Sequence, residues 1–246
     1  MVVNYQENGW QIISQRAHGL LAGQICFHWK KDLCPDRWVE TIIATTEHDD
    51  AFNEFYNDDI LLNENGGPLN FKMRRFEKDK CEELMQLALS KSRYIALLTS
   101  RHIQFLYKAT NDKKALLFCK ELEKADKKWL KEAGISAEEI SKAYSILQWC
   151  DAFSLLICQQ LIQPENRKIE ISSGNGDQHY QLHSADNKKL IVEPWPFEND
   201  HFEIRYESKL VPQLKFKDVR EFRNKLKEAP VTQHTYMVAK QENAES

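Results

Sequence analysis

The chain has 246 residues, 42% hydrophobic and 29% charged, with a formal net charge of −3. That length suits one large domain or a domain with an appendage. There is no basic excess, no acidic tail and no apolar run near the roughly 18 residues that cross a bilayer, which argues against nucleic-acid coating, an acidic scaffold and a helical membrane anchor.

The start reads as a hairpin: Val2 to Tyr5 and Trp10 to Ile13 flank Glu7-Asn8-Gly9, and Asn-Gly favours a tight turn. Ser14 then caps a helix running to about Trp29. A second helix opens at Cys34-Pro35-Asp36, with Pro in the first turn, carries Trp38, Ile42 and Thr45 at helical spacing, and ends near His48-Asp49. Residues 57–72 read as loop, rich in Asn and Gly. A long helical stretch from Asp79 carries Leu84, Leu87, Ile95, Leu98, Phe105 and Leu106 as its inner stripe, with a break at Lys91-Ser92. Lys113 to Glu132 forms another amphipathic helix, ended by Gly134. Ser136 and Glu139 make the capping-box pattern that opens the last long helix, which Pro164 stops.

After Pro164 the period changes from helical to alternating. Lys168 to Ser172 and His179 to Leu182 flank Ser173-Gly174-Asn175-Gly176-Asp177 as a hairpin, and Leu190 to Glu193 and Phe202 to Tyr206 are further strands. Asp218 to Glu228 is a short helix, Val231 to Val238 a final strand, and 241–246 a tail. A two-stranded hairpin is marginal alone, so the N-terminal one is expected to pack on the C-terminal strands. The expected fold is α+β: a mainly helical bundle core over 14–163, a β-rich subdomain with one short helix over 164–240, and the hairpin 1–13 joined to it.

Six cysteines (Cys26, Cys34, Cys81, Cys119, Cys150, Cys158) form no Cys-x-x-Cys pair and sit mostly among Leu, Ile and Phe. They read as reduced, buried thiols. With no basic-then-apolar start, the expected location is the cytoplasm.

One set of polar residues stands out on the helical stripes. His18 shares a face with Ala22, Ile25 and Trp29; Asp49 with Thr45, Ile42 and Trp38; His102 with Ile95, Leu98 and Phe105; and Asp151 lies between Leu147 and Leu155. These groups therefore point into the bundle. A carboxylate buried without a partner costs several kcal/mol or takes up a proton, so Asp151 needs a cation, a donor or a metal. Imidazoles and carboxylates converging from separate helices make a site for one or two divalent ions such as iron, manganese or zinc. His48 and Asp49 diverge by about 100° around a helix, so one ion lies within reach of both where the helix ends. The alternative is structural: buried histidines bonded to neighbours, and Asp151 paired with an arginine.

The order His, His-Asp, Asp on helices resembles the HD superfamily of metal-dependent phosphohydrolases. A closer resemblance is to a bacterial family known as domain of unknown function 3891, carried by Gln15-Arg16-Ala17-His18-Gly19-Leu20-Leu21-Ala22-Gly23, Glu47-His48-Asp49-Asp50, Thr99-Ser100-Arg101-His102 and Asp151-Ala152-Phe153-Ser154-Leu155. That family's pattern continues His-Asp with x-Gly-Trp; here Ala51 and Phe52 stand at those places. The HD resemblance implies that His18, His48, Asp49 and Asp151 ligate a metal whose bound water is the nucleophile. It also implies that His102 holds a second metal or contacts a phosphate, and that Arg16 and Arg101 neutralise phosphate charge. Catalysis would then fall to Asp49, His102 and Arg101.

Other chemistries lack their marks. None of His18, His48 and His102 has a Glu three residues before it, as ferritin-like di-iron bundles require, and there is no His-Glu-x-x-His, Gly-x-Ser-x-Gly or Gly-x-x-x-x-Gly-Lys. The expected partner is a small phosphorylated molecule or nucleotide, with no nucleic acid or membrane, and a homo-oligomer stays open. The rival expectations are a non-catalytic small-ligand-binding or regulatory protein on the same scaffold, and a helical interaction module whose buried His and Asp pair only with each other.

Overall fold

In the computed structural model, residues 1–56, 60–173, 178–186 and 188–241 are described. The expected turn at 174–177, the first part of the expected loop at 57–59 and the tail at 242–246 lie outside them. In chain order the elements are β1 (Val2–Gln6), β2 (Gly9–Ile13), α1 (Gln15–Phe27), α2 (Trp38–Thr46), α3 (Lys78–Leu89), α4 (Arg93–Tyr107), α5 (Lys113–Ala133), α6 (Ala137–Cys158), β3 (Ile169–Ser173), β4 (His179–Ser184), β5 (Lys189–Glu193), β6 (His201–Val211), α7 (Val219–Glu228) and β7 (Val231–Ala239).

Side-chain caps set many of the helix starts. Ser14 Oγ accepts from the Ala17 amide at the head of α1, and Ser92 Oγ accepts from Ile95 at the head of α4. Ser92 is thus the break that divides the stretch from Asp79 into α3 and α4. Asp112 caps α5, Gly134 ends it in the left-handed region at φ +63°, and Ser136 with Glu139 forms a complete capping box at α6. Phe105 and Leu106, expected on the inner stripe of α4, are exposed in the last turn of that helix.

The expected architecture of a mainly helical core with a separate C-terminal β-rich subdomain is overturned. The strands form one seven-stranded curled sheet, close to a half-barrel, in the order β1-β2-β6-β7-β5-β4-β3. All neighbouring pairs are antiparallel except β5 and β7, which run parallel. β2 pairs with β6 through Trp10 opposite Val211, which places the N-terminal hairpin in the same sheet. The long strand β6 alternates from His201 to Ser208, with Phe202, Ile204, Tyr206 and Ser208 buried.

The sheet's inner face is covered by α1 and α6. The largest core cluster joins Leu21 and Ile25 of α1, Trp149, Phe153 and Ile157 of α6, and Val2, Ile13, Leu182, Val192, Ile204 and Val238 of the strands. Trp149 meets Trp29 edge-on at 5.0 Å and Phe197 at 5.8 Å. α1 and α6 therefore face two ways. One side packs on the sheet, and the other meets α2 and α4. A second cluster holds α3, α4, α5 and α6 together through residues such as Met85, Leu97, Phe118 and Leu147. Sequence periodicity marks a helix's apolar stripe but not whether a sheet or a helix covers it, and that ambiguity produced the wrong architecture. Among the described residues no helix is long and apolar enough to cross a membrane.

Candidate metal centre

Three helices and the turn after a fourth bring five polar residues to a common point. His18 comes from α1, His48-Asp49 from the turn that follows α2, His102 from α4 and Asp151 from α6. His18, His48, His102 and Asp151 are all buried, and the Asp49 side chain is 15% exposed. The close approach of α1 to the end of α2 depends on small residues. A Cβ on Gly19 would stand 2.4 Å from the Thr46 carbonyl oxygen, and one on Gly23 would collide with the Thr46 side chain. Ala51, where the resembling pattern has Gly, is buried and adopts no left-handed backbone, so this turn does not require glycine.

The donor atoms are spaced like a ligand set. His18 Nε2 lies 3.1 Å from His48 Nε2 and 3.1 Å from Asp151 Oδ1. His48 Nε2 lies 3.3 Å from Asp151 Oδ1, and Asp49 Oδ2 stands 3.6 Å from both imidazole nitrogens. Four donors about 2.0–2.1 Å from a shared ion stand about 3.4 Å apart in a tetrahedron and about 3.0 Å apart at neighbouring corners of an octahedron. The five distances fall around those values. His102 joins His48 and Asp151 in an overlapping group whose donor atoms lie within 4.8 Å of one another.

The outer hydrogen bonds decide which way the imidazoles present themselves. His48 Nδ1 is 2.7 Å from the Thr45 carbonyl, which only accepts, so Nδ1 carries the hydrogen. Ser154 Oγ donates to the Asp151 carbonyl at 2.8 Å and so has no second hydrogen for His18 Nδ1 at 2.7 Å; His18 Nδ1 is therefore also the donor. In their neutral forms both rings then turn Nε2 lone pairs toward each other across 3.1 Å. That arrangement repels unless a cation lies between them: a proton or a metal ion. Asp151 Oδ1, buried beside both nitrogens, makes no aligned hydrogen bond. Gln15 Nε2 donates to Asp49 Oδ2 at 2.7 Å and holds that carboxylate in place. Imidazoles oriented by outer partners, with carboxylates beside them, fit a divalent ion.

The electrostatics agree in sign. Burial alone would lower the His18 and His48 pKa values, but the Asp49 and Asp151 carboxylates outweigh it, so His18 is raised and His48 reaches about 10. Burial would raise the two aspartates, and the neighbouring histidines outweigh it: Asp49 falls to about 2 and Asp151 well below the carboxylate range. His102 goes the other way, to about 4, because burial and the adjacent His48 both disfavour its charge. Two imidazolium and two carboxylate groups balance, and a divalent ion with neutral imidazoles balances equally. An ion therefore replaces two protons without leaving net charge in the core.

A cavity of about 330 Å³ opens onto this point, lined among others by Gln15, Asp49, His102, Tyr107 and Leu155. Two sequence candidates do not reach it. Arg16 Nη2 donates to the Asp50 carbonyl at 2.6 Å, and the residue lines a separate groove beside Glu47 and Lys91. Arg101, on α4, acts on Asp126 and Glu123 of α5. The positive charge on the cavity comes instead from Lys72 and Arg74. Those two lie in an aperiodic loop and leave no mark in the sequence. Ser154 and Gln15, which the sequence reading also missed, lie one helical turn from Asp151 and His18, a spacing that could have found them.

Neither the curated proteins nor the solved structures yield a match to this chain. The family model described as Protein of unknown function (DUF3891) matches residues 1–213, from β1 to just past β6, and the chain belongs to that family.

Proposed function

We propose that the chain is a divalent-metal-dependent hydrolase of a small phosphate ester or nucleotide, with His18, His48, Asp49 and Asp151 as the metal ligands. The observation that carries this reading is the pair of Nε2 lone pairs facing each other at 3.1 Å, flanked by two carboxylates. The mixed nitrogen and oxygen donors suit iron, manganese or zinc. A divalent ion held there supplies Lewis acidity toward a phosphoryl oxygen and acidifies water. The resemblance of the His, His-Asp, Asp order to HD phosphohydrolases supports the same chemistry.

The chain's own residues would divide the remaining work. Gln15 and Ser154 keep Asp49 and His18 in their ligating orientations. His102 stays neutral at physiological pH and lines the cavity, with the Tyr144 hydroxyl 3.5 Å from Nδ1, so it is the group placed to hand a proton to or from the reacting ester. Leu106 and Leu155 line the same cavity with apolar surface and limit bulk water. Arg16 and Arg101 stand outside it and take no part in this reading.

The test is elemental analysis of protein purified without chelator and reconstituted with each metal, followed by assay against phosphomonoesters, phosphodiesters and nucleotides. Stoichiometric metal with turnover that disappears in His48→Gln and Asp49→Asn is the expected result. A wild-type protein that takes up no iron, manganese or zinc would sink the reading. Metal uptake without turnover of any ester would leave a binding protein instead.

A further inference from the structure

Two cations in the metal cavity are unaccounted for by the ligand set. Arg74 has its side chain 8% exposed and its guanidinium 4.3 Å above the Phe52 ring. Nη1 donates to Glu77 Oε1 at 2.7 Å and Nη2 to the Ile60 carbonyl at 3.0 Å, while the buried Nε has no hydrogen-bond partner among the described residues. Lys72 is exposed and its ammonium makes no hydrogen bond or ion pair among the described residues, standing 5.9 Å from the Phe71 ring.

Both residues are held by a built turn. Residues Phe71–Met73 form one 3-10 turn, capped by Asn70 Oδ1 accepting from the Lys72 amide. Asn70 Nδ2 donates to the Val3 carbonyl and the Phe71 amide to the Met1 carbonyl, so the turn is docked on β1. The cations are thus presented to the cavity from a fixed backbone. Among the described residues the carboxylates lining the cavity are Asp49 and Asp151, and both belong to the proposed ligand set. A ligand entering the cavity therefore meets Asp49 and Asp151 together with the Lys72 ammonium and the Arg74 guanidinium, the latter already paired with Glu77 through Nη1. A buried guanidinium N–H with no acceptor favours an anion that supplies one. Phe71, Tyr107 and Leu155 give the cavity apolar walls.

We propose that Lys72 and Arg74 are the recognition residues for the anionic group of the substrate, and that this substrate is a small phosphomonoester whose ester group is flat or apolar and lies against Phe71 and Tyr107. The proposal rests on the metal-hydrolase reading of the same cavity. It places the phosphate between the metal ligands and the Phe71–Met73 turn rather than toward Arg16 or Arg101. The volume of about 330 Å³ accommodates a single ring or a short chain as the ester group.

The experiment is calorimetric titration of manganese-loaded protein with inorganic phosphate, phenyl phosphate and glycerol 3-phosphate, on wild type, Lys72→Ala, Arg74→Gln and Arg16→Ala. Metal content is measured on each sample. The expected result is phosphate binding that weakens about tenfold in Lys72→Ala and more in Arg74→Gln, with metal content unchanged in both and no effect of Arg16→Ala. Phenyl phosphate binds more tightly than glycerol 3-phosphate. The Lys72 side chain is exposed and makes no hydrogen bond or ion pair among the described residues, so Lys72→Ala stays interpretable even if Arg74→Gln fails to fold. Protein that takes up no metal overturns the parent reading. Metal-loaded protein that binds phosphate equally well in wild type and Lys72→Ala, or does not bind it at all, overturns this proposal alone.

Discussion

His18 and His48 approach nitrogen to nitrogen at 3.1 Å, and each ring has its far nitrogen engaged by an oxygen that accepts from it. The contact is held by Ser154 and the Thr45 carbonyl as much as by the rings themselves. Ser154→Ala is therefore expected to weaken metal affinity about 10- to 100-fold by freeing the His18 ring, without removing a ligand. His48→Gln is expected to abolish uptake. Competition against a chelating dye measures both. Equal affinities for Ser154→Ala and the parent would show that the hydroxyl does not orient His18.

The proton balance of the cluster sets a pH dependence with a definite sign. His48 is raised to about 10 from an ordinary value of 6.5, so its contribution to stability is fully present below 6.5 and is lost as pH rises toward about 10. Asp49 is lowered to about 2 from 3.8, so its contribution is present above 3.8 and is lost as pH falls toward about 2. His102, lowered to about 4, disfavours the fold as pH falls from 6.5 toward 4, because the unfolded chain takes up that proton first. In chelator, then, Tm should fall between pH 7 and pH 9.5. With saturating metal the fall should be smaller, and metal affinity should rise over the same interval because binding displaces protons from His18 and His48. Scanning calorimetry with and without chelator measures this, and a chelated Tm that is flat from pH 7 to 9.5 contradicts the assignment.

Removing the ion should also lower stability outright. A ligand present at about a thousand times its Kd adds about 4 kcal/mol, and a chain of this length shifts Tm by about 2–4 °C per kcal/mol. Chelation should therefore lower Tm on the order of 10 °C near pH 7. Asp151→Asn should lose most of that difference while keeping the fold. An identical Tm in metal and in chelator, for protein shown to have bound the ion, would mean that the unfolded chain binds it equally well.

Gly19→Ala tests the helix contact that sets the site. Alanine favours a helix by about 1 kcal/mol over glycine, so an open position would gain stability. Here the added Cβ meets the Thr46 carbonyl at 2.4 Å, and α1 and α2 must separate. We expect a net loss of about 1–3 kcal/mol in denaturant unfolding, together with weaker metal binding as His48 moves away from His18. A more stable Gly19→Ala protein would show that the two helices part freely.

Local chemistry was legible where a single side chain decides it. Ser14, Ser136 with Glu139, and Gly134 bound helices because each satisfies or releases backbone groups within one turn. The convergence of His18, His48, Asp49, His102 and Asp151 was legible because polar residues on apolar stripes have nowhere else to point. The assembly of the strands was not. β2 and β6 are separated by most of the chain, and five-residue strands such as β1, β3 and β5 carry no mark of their partners. The cationic lining of the cavity was illegible for a related reason: Arg16 and Arg101 are helical and near the motifs, whereas Lys72 and Arg74 line the cavity from a turn that docks on β1.

The pairing of β2 with β6 also bears on the order of events during folding. α1 follows directly from β2, and its apolar side rests on Ile204 and Tyr206 of β6. The sheet-facing side of α1 is therefore covered only after a segment nearly two hundred residues later has been made, a long-range closure of the kind that slows folding. On a ribosome, His48, Asp49, His102 and Asp151 would all emerge before β6 does. Under the proposed metal binding, capture by the fully packed site would be a late event that follows completion of the sheet rather than a nucleus that starts it.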